Sequence, residues 1–215
     1  MPIFRTLLFT ILLAFSCGAQ ARPSQGEPGQ FDYYAVSLSW SPSFCATHRD
    51  PQQCGRGLGF VLHGLWPQFE AGYPQSCSSE QLPGAVRNRY TSLYPSPKLI
   101  GHEWSKHGTC SGLDPAAYFA LSAKLKDQLT IPPAYQQPVQ PLRATTTEFT
   151  RAFNSANPRL AASSVLPFCS GGGRFLNEIH VCFAKDGRSR SCSQGEIKRS
   201  YSSCRQESFL IQSVR

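Results

Sequence analysis

Residues 102–110 of this 215-residue chain read His-Glu-Trp-Ser-Lys-His-Gly-Thr-Cys. Two imidazoles, a carboxylate and an ammonium fall within a single short stretch, the groups that proton transfer and anion binding require. On a helix turning roughly 100° per residue, His102, Lys106, Glu103 and His107 stand at about 0°, 40°, 100° and 140°, within less than half the circumference. Trp104 and Ser105 fall at about 200° and 300°, so the indole can bind the helix to a core behind a working polar face. A second group lies at Leu62-His63-Gly64-Leu65-Trp66-Pro67, where Gly59 to His63 reads as a buried strand ending at Gly64. The glycine would let a substrate come close to His63. Histidine is the side chain whose ordinary pKa lies nearest neutrality, so two separated imidazoles suit a reaction that removes one proton while delivering another. Lys106 would favour a developing phosphorane dianion.

Two other functions compete. The adjacent His102 and Glu103 suggest a zinc hydrolase, but helices of that class set two histidines four apart, roughly 40° around the axis. His102 and His107 are five apart, roughly 140°, which is poor geometry for one ion. The other alternative is a disulfide-stapled protein that binds anionic polymers through its charge. Activity that survives excess EDTA rules out the zinc reading, and no activity at all favours the binding one.

These groups need a scaffold. Tyr34, Val36, Leu38 and Trp40 alternate with Ala35, Ser37 and Ser39, the period of a strand. Phe175 to Phe183 reads as another, followed by the hairpin signal Asp186-Gly187, and Phe209-Leu210-Ile211 as a short one. Asp114 before Pro115 opens a helix with the stripe Tyr118, Leu121, Leu125 and Leu129. Thr145 with Glu148 resembles a capping box, and its helix runs through Phe149 and Phe153 to stop before Asn157-Pro158. A further helix is expected between Ser79 and Tyr94, interrupted near Pro83-Gly84, and a loop at 131–143. The pattern predicts one α+β domain, a central largely antiparallel sheet with flanking helices.

Residues 1–21 read as a secretory signal, with Arg5, the apolar run Leu7 to Phe15, and the small-x-small site Ala19-Gln20-Ala21. That run is too short to span a membrane. Cys17 offers a lipid-anchor alternative in a poor sequence context. Residues 22–30 read as a flexible lead-in and 31–215 as the catalytic domain. Beyond the signal the formal charge falls from +8 to +7, a surplus that favours a polyanion. Lys185, Arg188 and Arg190 read as a solvated hairpin tip, His48 as exposed and His180 as structural. Eight cysteines remain, formally 105 pairings. Spacing favours Cys45–Cys54, with Cys182–Cys192 nested inside Cys169–Cys204, leaving Cys77–Cys110 to tie the 102–108 helix to the loop after Trp66. Four bridges imply an oxidising compartment, periplasmic or extracellular.

The blocks His63-Gly64-Leu65-Trp66-Pro67 and His102-Glu103-Trp104-Ser105-Lys106-His107-Gly108-Thr109-Cys110 resemble the paired active-site signatures of the ribonuclease T2 family, exported acid ribonucleases of bacteria, fungi and plants. Tyr33-Tyr34 through Leu38-Ser39-Trp40 to Cys45, and Leu176-Asn177-Glu178-Ile179-His180-Val181-Cys182, are similar to that family as well, so the likeness runs from about residue 31 to 204. It implies attack of a ribose 2′-hydroxyl on the adjacent phosphate, giving a 2′,3′-cyclic phosphate, without metal or cofactor and without action on DNA. It makes His107 the base and His63 the acid. Glu103 would orient His107 and stabilise the phosphorane, His102 would bind a phosphate oxygen, and Lys106 would neutralise charge. Trp66 and Tyr73 approximately match positions that hold a base. Gln68 stands where some eukaryotic members carry a base-selecting acid, so low base selectivity is expected, and the enzyme is taken as a monomer.

Overall fold

The computed structural model describes residues 26–214. The signal segment 1–21 lies outside the described residues.

The sheet is built on β1 (Tyr33–Trp40), which pairs antiparallel with β2 (Phe60–Gln68) and β5 (Phe175–Phe183). β4 (Val165–Ser170) also runs antiparallel to β5, and β3 (Leu142–Ala144) to β6 (Phe209–Ile211). Only β5 and β6 run parallel, meeting at Phe175 and Leu210, so the sheet is mixed but largely antiparallel. β1 is buried on both faces. Successive side chains of a strand point to opposite faces. Tyr34, Val36, Leu38 and Trp40 therefore enter the main core with Ile179, Val181 and Phe183 of β5. Tyr33 joins a smaller cluster with Leu166, Cys182 and Cys192 on the reverse.

The main core is closed by helices. α3 (Pro97–Lys106) inserts Ile100 and Trp104, one turn apart. Trp104 meets Tyr118 and Phe119 of α4 (Pro115–Asp127), and its indole N–H donates to the Glu80 carbonyl at 2.8 Å. Asp114 caps α4 by accepting from the Ala117 amide. α5 (Thr146–Ala156) opens with the Thr145–Glu148 capping box and buries Phe149 and Phe153. α2 (Gly84–Tyr90) starts at Gly84 with no helix over 79–83, so Pro83-Gly84 marks a helix start and not the expected interruption. The four bridges join Cys45–Cys54, Cys77–Cys110, Cys169–Cys204 and Cys182–Cys192.

Several expectations change. β2 does not end at Gly64 but continues to Gln68; its place at the sheet edge accommodates Pro67, which has no N–H to give. β3 starts at Leu142, inside the stretch expected to be loop throughout. The helix α1 (Ser41–Cys45), the strand β4 and the helix α6 (Gln194–Ser203) were not foreseen. Part of the lead-in is tied down rather than free, because the Gly29 amide donates to the Cys110 carbonyl at 2.9 Å.

Candidate active site

β1 residues Ser37 and Leu38 pair with Gly64 and Leu62, leaving His63 as the extra residue of a β-bulge. A bulge bends the strand and re-aims one side chain. Here it turns His63 toward the edge where α3 crosses. Gly64 serves a different purpose from the one expected. A Cβ on it would lie 1.8 Å from Glu103 Oε2 and 2.4 Å from Trp66 Nε1, so the glycine makes room for Glu103 rather than for a substrate.

α3 brings the other groups. Glu103, expected on a working polar face, points inward and is fully buried. Its Oε2 accepts from the Trp66 indole N–H at 2.8 Å, and its Oε1 lies 4.0 Å from His63 Nε2 with no hydrogen-bond partner. α3 ends at Lys106, and His107 caps it before the turn Gly108–Cys110. The Trp66 ring stacks on the His107 ring, centroids 5.1 Å apart. His107 Nδ1 is buried without a hydrogen-bond partner among the described residues, so Glu103 does not orient this imidazole by a hydrogen bond to Nδ1; Trp66 contacts both. His102 lies 6.5 Å from His107 between ring centroids, and Tyr73, half-exposed, lies 6.5 Å from the same ring. His63, Trp66, Tyr73, His102, Lys106 and His107 line one open cleft of about 370 Å³, with Gln68, Phe168, Glu178, His180 and Arg199.

The two catalytic candidates sit in opposite fields. Burial disfavours a charged His63, but the bond to Glu178 and the charges of Glu103 and Glu178 outweigh it and raise its pKa. Burial, reinforced by Lys106, His102 and His63, drives His107 down to about 2. Burial also lifts Glu103 to about 7, against the pull of His63, the Trp66 bond and Lys106. His102 is lowered by burial and by Lys106 and His63.

A row of ionisable groups along one wall of the cleft was not recognised from sequence. His63 Nδ1 meets Glu178 Oε2 at 3.2 Å, and Ser37 donates to the same oxygen at 3.1 Å. Glu178 Oε1 faces His180 Nε2 at 3.3 Å, and His180 Nδ1 meets Glu196 of α6 at 2.5 Å. Arg199 completes the row on the other Glu196 oxygen. The available signal was the spacing of Glu178 and His180, which puts two ionisable groups on one face of a strand. The basic tip is engaged locally: Arg188 pairs with Asp186 and Arg190 with Glu70, and Lys185 covers the Phe31 ring.

Comparison with known proteins agrees with this arrangement. The chain is 40% identical to a ribonuclease of Aeromonas hydrophila over 97% of its own length and 98% of that protein's. Trichomaglin, an S-like ribonuclease, shares the fold with a TM-score of 0.66 and 18% identity, covering 86% of this chain and all of that one. Ribonuclease MC1 from bitter gourd seeds does so at 0.61 and 22%, over 74% and 92%. The model of the ribonuclease T2 family matches residues 31–192. With both of the family's signatures facing one cleft, the chain belongs to the ribonuclease T2 family.

Proposed function

We propose that this RNA-cleaving endoribonuclease cuts single-stranded RNA by internal transesterification, with His107 as general base and His63 as general acid. The observation that carries the reading is the pair of imidazoles in one cleft with proton affinities pushed apart. A neutral His107 takes the ribose 2′-hydroxyl proton. The 2′-oxygen bonds to phosphorus while the bond to the 5′-oxygen breaks, and charged His63 gives that oxygen its proton. The products are a 2′,3′-cyclic phosphate and a free 5′-hydroxyl, and DNA lacks the attacking group. Glu103 is buried beside the cleft with its Oε1 4.0 Å from His63 Nε2, where its charge favours the protonated acid. Lys106 offsets charge on the phosphorane, and His102 donates to a phosphate oxygen. Tyr73 and the exposed edge of Trp66 offer faces for a base, and stacking, worth about 1–3 kcal/mol per base, discriminates little among bases.

The reading extends to the whole chain. Residues 1–21 direct export and 31–215 are the catalytic domain, acting as a monomer without metal or cofactor. Four disulfides support an oxidising compartment, periplasmic or extracellular. No described helix is long and apolar enough to cross a membrane.

Purified protein should be given the dinucleoside phosphates and their 2′-deoxy analogues in excess EDTA. Cyclic phosphates from every ribonucleotide step, nothing from the deoxy series and no effect of chelator are expected. His63→Ala and His107→Ala should each lose about 10²–10⁴-fold in rate. Activity abolished by EDTA, or a His107→Ala protein of near-normal turnover, would refute the assignment.

A further inference from the structure

We propose that Glu178 is the positioning residue for the general acid, holding the His63 ring by its Nδ1 so that Nε2 carries the transferable proton into the cleft. The inference rests on the reading of His63 as the acid. An imidazole that must deliver a proton from one nitrogen needs the other nitrogen tied to an acceptor, which fixes both ring orientation and tautomer. Glu178 Oε2 is that acceptor at 3.2 Å. On the far side of the ring, Nε2 faces Glu103 Oε1 across 4.0 Å, wide of a hydrogen bond and open to a phosphate ester oxygen.

Glu178 is itself held. Its Oε2 also accepts from Ser37 on the neighbouring strand, and its Oε1 from His180 Nε2. His180 is buried and is gripped by Glu196, whose second oxygen takes Arg199 from the α6 surface. Each oxygen of Glu178 thus has a partner, and the carboxylate cannot swing away from His63 without breaking a partly buried bond. Other titratable groups also face His63: Glu103, His102 and His107 from the α3 side, and His180 beside Glu178 on β5. Among these only Glu178 bonds the ring directly.

A positioning residue for the acid matters only when the leaving group needs a proton. Three proteins, wild type, Glu178→Gln and His63→Ala, should be assayed on a dinucleoside phosphate and on a nucleoside 3′-(p-nitrophenyl phosphate), whose phenolate leaves unaided. Glu178→Gln is expected to lose about 10–100-fold in kcat on the first substrate, with KM nearly unchanged, and less than about threefold on the second. The alkaline limb of its kcat/KM profile should move to lower pH by about one unit or more, as a nearby carboxylate is removed. Glu178→Asp should recover part of the loss. Equal losses on both substrates, or an unmoved alkaline limb, would overturn the proposal. If His63→Ala fails to discriminate between the two substrates, the assignment of His63 as acid fails instead; if His63→Ala discriminates and Glu178→Gln does not, only the role of Glu178 falls. Should Glu178→Gln not fold, a nitrogen-15 NMR titration of wild-type histidines decides. A His63 ring that keeps its proton on Nδ1 when it becomes neutral supports the proposal, and one that keeps it on Nε2 refutes it.

Discussion

The tightest constraint in the cleft is steric, and the substitution Gly64→Ala tests it. The added methyl carbon would sit 1.8 Å from Glu103 Oε2, 2.7 Å from Glu103 Cδ and 2.4 Å from Trp66 Nε1. Restoring even a tight 3.0 Å contact requires Oε2 to move by about 1.2 Å. Glu103 is fully buried, so a displaced carboxylate must push its neighbours, and the shift strains the 2.8 Å bond from Trp66. Overfilling a packed site costs about 1–3 kcal/mol, which for a domain of this size lowers Tm by about 2–12 °C. Activity should suffer more, because an ångström of misplacement in a catalytic group can cost about 10²-fold. We expect kcat on a dinucleoside phosphate at 25 °C to fall about 10²-fold while circular dichroism stays native. A folded Gly64→Ala protein within threefold of wild-type kcat would show that Glu103 is not held where its chemistry requires.

The pH dependence follows from the opposed histidines. With His107 lowered to about 2, its protonation should not curtail kcat/KM until strongly acidic pH. With His63 raised, activity should fall on the alkaline side above pH 6.5 as the acid loses its proton. An acid limb centred near 6.5 and traceable to His107 by NMR would contradict this. Stability should show a related window. Glu178 is held below the usual carboxylate range, because bonds and charge from His180 and His63 overcome its burial. Its contribution is present above about pH 4.5 and lost as pH falls through the lowered value. His180 is raised to about 9 by Glu178 and Glu196 against burial, so its contribution is full below 6.5 and lost as pH rises through about 9. Thermal melts should therefore peak between about pH 4.5 and 6.5, and a maximum near pH 9 would count against the buried network. Replacing both Cys77 and Cys110 by Ala opens a loop of 33 residues and should cost about 3.7 kcal/mol by chain entropy, read from urea midpoints; a loss below about 1 kcal/mol would mean the turn after His107 is held without it.

Much of the site could be read from the chain because its chemistry is contiguous. His102, Glu103, Lys106 and His107 lie on one helix end, and His63, Gly64 and Trp66 on one strand, so local spacing alone groups them. The Thr145–Glu148 capping box and the Asp114 cap were legible for the same reason. The bulge at His63 was not, because it exists only relative to Ser37 and Leu38 on a partner strand. β4 escaped because Pro167 breaks a strand pattern, although its carbonyl accepts the Ser200 hydroxyl. α6 escaped because its inward face presents Glu196 and Ser200 in place of an apolar stripe. The feature that hid the helix is the one that matters: its buried face is polar because it bonds His180 and β4.

The proposed division of labour between two chemically identical side chains follows from the same geometry. Nothing in the signatures distinguishes the proton affinity of His63 from that of His107. The bulge sets His63 on the sheet face that carries Glu178, with Glu103 opposite, and two carboxylates keep an imidazole charged despite burial. The end of α3 sets His107 under Trp66 beside Lys106 and His102, where burial and like charge both keep it neutral. Moving a carboxylate from one neighbourhood to the other would shift the charge preference of the ring it leaves and of the ring it reaches. The proposed assignment of acid and base thus depends on how α3 meets β2 and how β5 carries Glu178 to the same ring, and it should fail as a unit whenever that junction is disturbed.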